Sequence, residues 1–292
     1  MARRVSLLVN PAAGHGRAAR LLPRVEAALA LHGVDFHTER TSGLEHAREL
    51  ARAASEAGEP AVTLGGDGLI GCVAGVLAGT DGVLGILPGG RGNDFGRVLG
   101  VPDDVDAACA VVAAGVERCI DVGEVDQRTF IGVASAGLDS EANRIANETT
   151  AVRGNLVYAY GALRALLAWT PARFELELDG RERIAYSGYS VACANSKAYG
   201  GGMFIAPDAE LDDGKLDVVC TGLGTRRRCV YNLPKLFEGR HVESPSVRVM
   251  RATEVRVSAD RPFTMYADGD PIGELPVTVR ARHRALRVIA PA

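Results

Sequence analysis

The chain has 292 residues, 47% hydrophobic and 24% charged, with a formal net charge of −3. That length exceeds the usual single core and predicts two domains, and the composition is that of an ordinary globular protein. The small net charge excludes a global electrostatic case for nucleic acid or membrane binding.

The six cysteines (72, 109, 119, 193, 220 and 229) form no CxxC pair and no His/Cys ligand spacing, so free, mostly buried thiols in a reducing cytoplasm are expected. No apolar run approaches the roughly 18 residues of a membrane span. Met1-Ala-Arg-Arg leads directly into a strand rather than a signal-peptide core.

In chain order, Val5–Val9 reads as a buried parallel strand stopped by Asn10-Pro11. Residues 17–31 carry Ala18, Leu21, Leu22, Val25, Ala28 and Leu29 at helical spacing, with Pro23 implying a kink or a late start. A weaker strand follows at 36–40, a helix at 45–57, a strand at 61–64, a helix at 69–77, a strand at 83–87 and a helix at 104–114. This alternation predicts an α/β domain over 1–122, a parallel sheet layered between helices.

Beyond about residue 122 the rhythm changes to short alternating pieces at 128–134, 173–179, 184–193, 216–221, 253–258, 263–267, 276–280 and 285–290. Asp179-Gly180 signals a hairpin. Helical stretches interrupt at 139–147 with 153–168, and at 225–238. The reading is an antiparallel β-sandwich domain with inserted helices over 123–292.

Three glycine-rich turns follow three of the strands: "VNPAAGHG" (9–16), "LGGDGLIG" (64–71) and "LPGGRGNDFGR" (87–97). In a parallel α/β sheet ligands lie beyond the carboxyl ends of the strands, so all three should share one edge. Glycine lets backbone N–H groups approach phosphate oxygens, and the helix N-terminus beyond favours negative charge. Asn10, Pro11, Gly14, Gly65, Gly66, Gly68, Gly90, Arg91, Asn93 and Asp94 are therefore candidate phosphate-site residues.

The Rossmann and P-loop spacings are absent, which disfavours a dinucleotide oxidoreductase or a P-loop NTPase. Asp67, held between Gly66 and Gly68, would repel phosphate unless a divalent cation bridges them. The alternative is a carboxylate capping the helix near Leu69. With Asn93-Asp94 in a second such turn, nucleotide plus Mg²⁺ is favoured.

These motifs in this order resemble the catalytic domain of bacterial diacylglycerol kinases and sphingosine kinases, with an NAD-kinase-like fold. The resemblance continues through "ANSKAYGGGMFIAPDAELDDGKLDVV" (194–219), "LFEGRH" (236–241) and "YADGDPIGELPVTVR" (266–280). "GGDG" alone would also suit NAD kinases. The stretches "LPGGRGNDF" and "YGGGMFIAPDAELDDG" point to the lipid side.

The resemblance implies a kinase with ATP between its domains and a lipid hydroxyl, diacylglycerol first, as acceptor. A sphingoid base or non-lipid metabolite as acceptor, or a nucleotide-binding regulator without turnover, are the alternatives. It places Asn10, Thr41, Gly66, Asp67 and Gly68 at the nucleotide. It also places a structural Mg²⁺ at Asp213, with carbonyls of Glu210 and Lys215 as further hard-oxygen ligands. The bare sequence reads Asp213-Gly214 as a turn, which is compatible. Asp270 falls where the family has its proposed base. Read alone it is a turn carboxylate, and Asp67 is the other candidate for that role.

The chain departs from the family pattern in four ways. Leu69 replaces a threonine, as in sphingosine kinases, and Gly71 and Cys72 replace an Asn and a Glu. Arg91 replaces a threonine, offering either a charged phosphate contact or a solvated side chain. Asp270 replaces a glutamate. The helix around 156–169 could flank acyl chains or serve as core, and "TRRRC" (225–229) could face anionic headgroups or solvent. The expected partner is a lipid reached transiently from the cytoplasm at a membrane surface. Nucleic acid is not expected, and homodimerisation stays open.

Overall fold

The computed structural model of the protein describes residues 4–149, 156–224, 231 and 234–292. Contacts divide the chain into two units, residues Met1–Val122 with Arg284–Ala292, and Gly123–His283.

Unit 1 begins with β1 (Val5–Val9), α1 (Ala13–Leu31), β2 (Phe36–Arg40), α2 (Leu44–Glu56), β3 (Ala61–Gly65), α3 (Asp67–Leu77) and β4 (Val83–Pro88). Then come the short α4 (Asp94–Val98), α5 (Val105–Ala114) and β5 (Glu117–Val125), which runs on into unit 2. Strands β1, β3 and β4 are buried at every position, as their unbroken apolar runs require in a sheet covered on both faces. Helices α1 and α5 pack together, as do α2 and α3.

The start of α1 and both ends of α5 follow local chemistry. Gly14, His15 and Gly16 all have left-handed backbones (φ 58°, 55° and 81°), so regular helix begins only after them, with Pro23 inside it. The Asp104 side chain accepts N–H bonds from Asp106 (3.0 Å) and Ala107 (3.1 Å), capping α5, and Gly115 ends it at φ 62°.

Unit 2 holds β6 (Arg128–Phe130), β7 (Val133–Gly137), α6 (Leu138–Glu148), α7 (Leu156–Ala168), β8 (Ala172–Leu178) and β9 (Glu182–Ala194). After the small β10 (Ala198–Tyr199) and β11 (Met203–Phe204) come β12 (Leu216–Gly222), β13 (Val247–Ala252), β14 (Glu254–Ala259), β15 (Thr264–Ala267), β16 (Asp270–Glu274) and β17 (Val277–Ile289). Pairing here is antiparallel, with β9 bonded to β7, β8 and β12.

Alternate residues of β9 enter two different cores. Val191 and Cys193 join the cluster around Phe174, Val218 and Val255. Ala192 and Ala194 join Val133, Ile205 and Val219. A strand buried on both faces gives the continuous apolar run seen in the sequence. Trp169, Phe263, Phe174 and Tyr186 stack in series, with ring centroids 5.5–5.7 Å apart.

Several elements differ from the sequence expectation. The second domain does not run unbroken to residue 292, because β17 changes unit. Its first half pairs antiparallel with β14 (Val279↔Val255), and its second half lies parallel to β4 (Val288↔Leu84). The segments 276–280 and 285–290 are thus one strand, and 128–134 is split into β6 and the start of β7. At the crossing, Arg284 has φ 48° and its N–H donates to the fully buried Asp121 at 2.7 Å. Strands β5, β13 and β16 and helix α4 carried no clear sequence signal. The helix expected over 225–238, with the basic run 225–229, lies largely outside the described residues.

Candidate active site

Register alone gathers the turns of unit 1. Val9 is paired with Arg40 and Leu64, and Gly65 with Pro88, so Asn10, Thr41, Gly66 and Gly89 leave the sheet at one edge. The backbones then close on one another. Gly89 N–H donates to the Gly65 carbonyl at 2.8 Å. A Cβ at Gly90 would lie 2.4 Å from Gly66 Cα, and one at Gly14 would lie 2.8 Å from the Gly89 oxygen. Only glycine permits this approach at Gly90, and Gly14 needs it doubly because its φ is 58°.

Inside this frame the candidate residues have distinct tasks. Asn10 Oδ1 accepts the Ala12 N–H at 3.1 Å, turning the chain after β1, with Pro11 half-buried between them. The Thr41 hydroxyl is buried and donates to the Val9 carbonyl at 3.2 Å, so its first task is to join the ends of β1 and β2. Asn93, buried with a left-handed backbone (φ 52°), accepts the Gly90 N–H on its Oδ1 at 2.9 Å. The Gly90 amide is therefore committed inside the turn. Arg17, which the sequence reading did not single out, donates to the Gly90 carbonyl at 3.0 Å. No local pattern marks it, because its partner is 73 positions away. Gly68, in the first turn of α3, and Arg91 are exposed.

Asp67 begins α3, but its carboxylate serves another helix. Its Oδ1 accepts the Phe95 N–H at the start of α4 at 3.2 Å. Burial pushes the Asp67 carboxyl above the usual carboxylate range, and the Asp94 carboxylate adds to the push. N–H groups of Phe95, Asp67 and Asp94 pull the other way. Both carboxylates face Gly92, where a Cβ would lie 3.0 Å from Asp67 Oδ2 and 3.4 Å from Asp94 Oδ2. Arg97 takes part of the load by donating to Asp94 at 2.9 Å and to the Gly92 carbonyl at 2.9 Å. Leu69 is buried against Gly65, so the residue replacing threonine lies beneath the turn.

In unit 2, Asp268 and Gly269 (φ 51° and 94°) form the two-residue turn between β15 and β16. The Asp268 carboxylate accepts N–H bonds from Ile131 (2.8 Å), Gly132 (2.9 Å) and Val133 (3.2 Å). It fixes the position of Asp270, which is exposed as the first residue of β16. Sequence reasoning missed Asp268, whose partners lie more than 130 positions away.

Asp213 Oδ1 accepts the Lys215 N–H at 2.9 Å, forming the expected turn, and Oδ2 lies 3.6 Å from Arg251. Arg251 also pairs with the buried Asp217 at 3.2 Å. Burial raises the Asp217 carboxyl, and Arg251 offsets this. Glu210 and Lys215 are exposed. Among the described residues no cluster of three or more His, Cys, Asp or Glu side chains could hold a metal ion.

A parallel sheet whose glycine turns close on a carboxylate, followed by a β-sandwich, is the NAD-kinase type of fold. An NAD kinase from Archaeoglobus fulgidus in complex with ATP shares this fold (TM-score 0.53, 14% identity, covering 98% of this chain and 93% of that one). So does a diacylglycerol kinase from Bacillus anthracis (TM-score 0.79, 21% identity, covering 99% and 97%).

Residues 4–125 match the diacylglycerol kinase catalytic domain, and residues 132–290 match the YegS C-terminal NAD kinase beta sandwich-like domain. The chain is 37% identical to a diacylglycerol kinase of Mycobacterium tuberculosis, over 99% of this chain and 95% of that relative. It is 28% identical to one of Bacillus subtilis, over 99% and 97%. The chain therefore belongs to the diacylglycerol kinase family, and with it to the lipid kinases, which transfer phosphate to an alcohol.

Proposed function

We propose that the protein phosphorylates a lipid hydroxyl with ATP and Mg²⁺, and that diacylglycerol is the acceptor. The observation that carries this is the closure of two glycine turns, backbone against backbone, around the half-buried Asp67. A carboxylate so placed beside a second one has no use for a bare phosphate, but suits a cation that carries phosphates. Mg²⁺ is commonly held by one or two carboxylates plus substrate phosphates, and Asp67 with Asp94 nearby fits that donor set. When bound, the ion neutralises charge on the phosphates.

The chain's own part is positioning. Asn10, Pro11, Gly14 and Thr41 shape one wall of the phosphate site, and Gly65, Gly66 and Gly68 another. Gly90, Asn93 and Asp94 shape a third, with Arg91 available to a phosphate oxygen. Asp270 receives the proton of the acceptor hydroxyl, held by Asp268 behind it. In unit 2 Asp213, with the Glu210 and Lys215 carbonyls, would hold a structural Mg²⁺, which would compete with Arg251 for the carboxylate. Its test is a melting temperature that falls on chelation in the wild type and is unmoved by chelator in Asp213→Ala.

The family relatives named diacylglycerol kinase support the acceptor, and the lipid itself places the encounter at a membrane surface. Transfer of labelled phosphate from ATP into a total lipid extract tests the reading. Labelled phosphatidate is expected. Label in a sphingoid base or a water-soluble product would replace diacylglycerol as acceptor, and ATP binding without any labelled product would favour a regulator.

A further inference from the structure

Two guanidinium groups hold the third glycine turn by its carbonyls. Arg17, the first residue of regular helix in α1, donates from Nη1 to the Gly90 carbonyl at 3.0 Å. Arg97, on α4, donates from Nη2 to the Gly92 carbonyl at 2.9 Å. In a trans peptide the carbonyl and the N–H that follows it point in opposite directions. The Arg91 N–H is therefore directed away from Arg17, and the Asn93 N–H away from Arg97. Among the described residues, neither these two amides nor the Gly92 N–H between them donates to a protein acceptor.

The two arginines differ in what else they hold. Arg97 also pairs with the Asp94 carboxylate at 2.9 Å. Arg17 has no carboxylate partner among the described residues, so a full charge is set against a neutral carbonyl beside the glycine turns. Its placement follows from the unusual backbone before it. Gly14, His15 and Gly16 are all left-handed, a conformation that disfavours the non-glycine His15. This turn starts α1 against the third glycine turn, where a Cβ at Gly14 would lie 2.8 Å from the Gly89 oxygen and 3.0 Å from the Arg17 Cβ. Arg17 can then reach a carbonyl 73 positions away.

We propose that Arg17 is a positioning residue of the phosphate site, which deepens the kinase reading and rests on it. By holding the Gly90 carbonyl it turns the Arg91 N–H toward the nucleotide phosphates, and its charge adds to their attraction. Asn93 accepts the Gly90 N–H at 2.9 Å, so both peptide groups flanking Gly90 are fixed before a ligand arrives. Donors fixed in advance need no reorganisation when charge reaches them.

Arg97 is tied to Asp94, so Arg17 is the residue to test. Calorimetric titrations with ATP and with tripolyphosphate, each with Mg²⁺, compare the full-length wild type with Arg17→Met, Arg17→Lys and Arg20→Met. Arg17→Met should weaken both ligands at least about tenfold, the scale of one hydrogen bond from a charged donor. Arg17→Lys keeps a charged donor and should recover most of that loss. Arg20→Met removes the same charge from the same helix, where Arg20 donates to the His15 carbonyl at 3.2 Å, and should bind both ligands as the wild type does. Should Arg17→Met fail to fold, Arg17→Gln, with a neutral donor of shorter reach, should show the same weakening. An Arg17 variant that melts lower yet binds tripolyphosphate as the wild type does would overturn the proposal, since a purely structural bond behaves that way. Equal weakening by Arg20→Met would also overturn it, by assigning the effect to net charge. Labelled-phosphate transfer run in parallel keeps the two readings apart. A wild type that binds ATP and transfers nothing would sink the kinase reading alone, and one that binds neither ligand would sink both.

Discussion

Asp67 sits in a surrounding that disfavours its charge, and this has a measurable sign. Its folded pKa is raised by burial and by Asp94, so the contribution of this group to stability is fully present at low pH. That contribution is lost as pH rises through the folded value. Asp67→Asn keeps an oxygen for the Phe95 N–H and removes the repulsion. Without ligand, the variant should therefore melt at or above the wild-type temperature at pH 7, and the gain should vanish as pH falls through the carboxylate range. A variant that melts well below wild type at pH 7 would show that the carboxylate is there for structure.

Asp268 is the opposite case, a carboxylate whose work is holding backbone. Asp268→Ala strands three N–H groups and should cost about 3 kcal/mol, since each bond to a charged acceptor is worth about 1.5–3 and the three are not additive. Asp268→Asn should recover part of this, because asparagine tolerates the left-handed backbone and keeps one acceptor. Denaturant unfolding of the three proteins measures both.

At the scale of elements, the glycine turns act as one object because the sheet register aligns their starting points. Gly90→Ala would place a methyl 2.4 Å from Gly66 Cα, and neither backbone has room to give. The turns must part, at a cost of about 1–3 kcal/mol for overpacking, and ATP affinity should fall at least tenfold. Calorimetric titration with ATP measures this, and an alanine that binds normally would contradict the packing.

The three turns were legible in the sequence because each follows an unbroken apolar strand, and pattern and chemistry are local there. Strand β5 was not legible, because its first residues are exposed and its middle carries the buried Asp121, whose partner is 163 positions away. The polar run Arg280 to Arg284 broke β17 into two expected strands, although backbone pairing carries it across. Asp270 stood out by resemblance, whereas Asp268 two residues earlier, with the larger structural role, gave no local sign of its distant partners.

At the scale of the whole molecule, the chain's last nine residues return to unit 1, so the first unit is not built from the first 122 residues alone. Asp121 fastens this return. Asp121→Ala leaves the Arg284 N–H without its acceptor and should destabilise the protein by about 1–3 kcal/mol, with Asp121→Asn close to wild type. Arg284→Gly should be neutral or stabilising, because glycine removes the cost of a left-handed backbone. Melting temperatures of the three variants would show whether the crossing is held as described.

One measurement tests the kinase chemistry most directly. Labelled ATP is incubated with diacylglycerol micelles and Mg²⁺, using wild type and Asp67→Asn matched for folding by their melting curves. The wild type should form labelled phosphatidate, and the variant should form at least about 100-fold less, the scale expected when a positioned charge is removed from a phosphoryl-transfer site. Phosphatidate formed by Asp67→Asn at a near wild-type rate, or none formed by the wild type, would contradict the account.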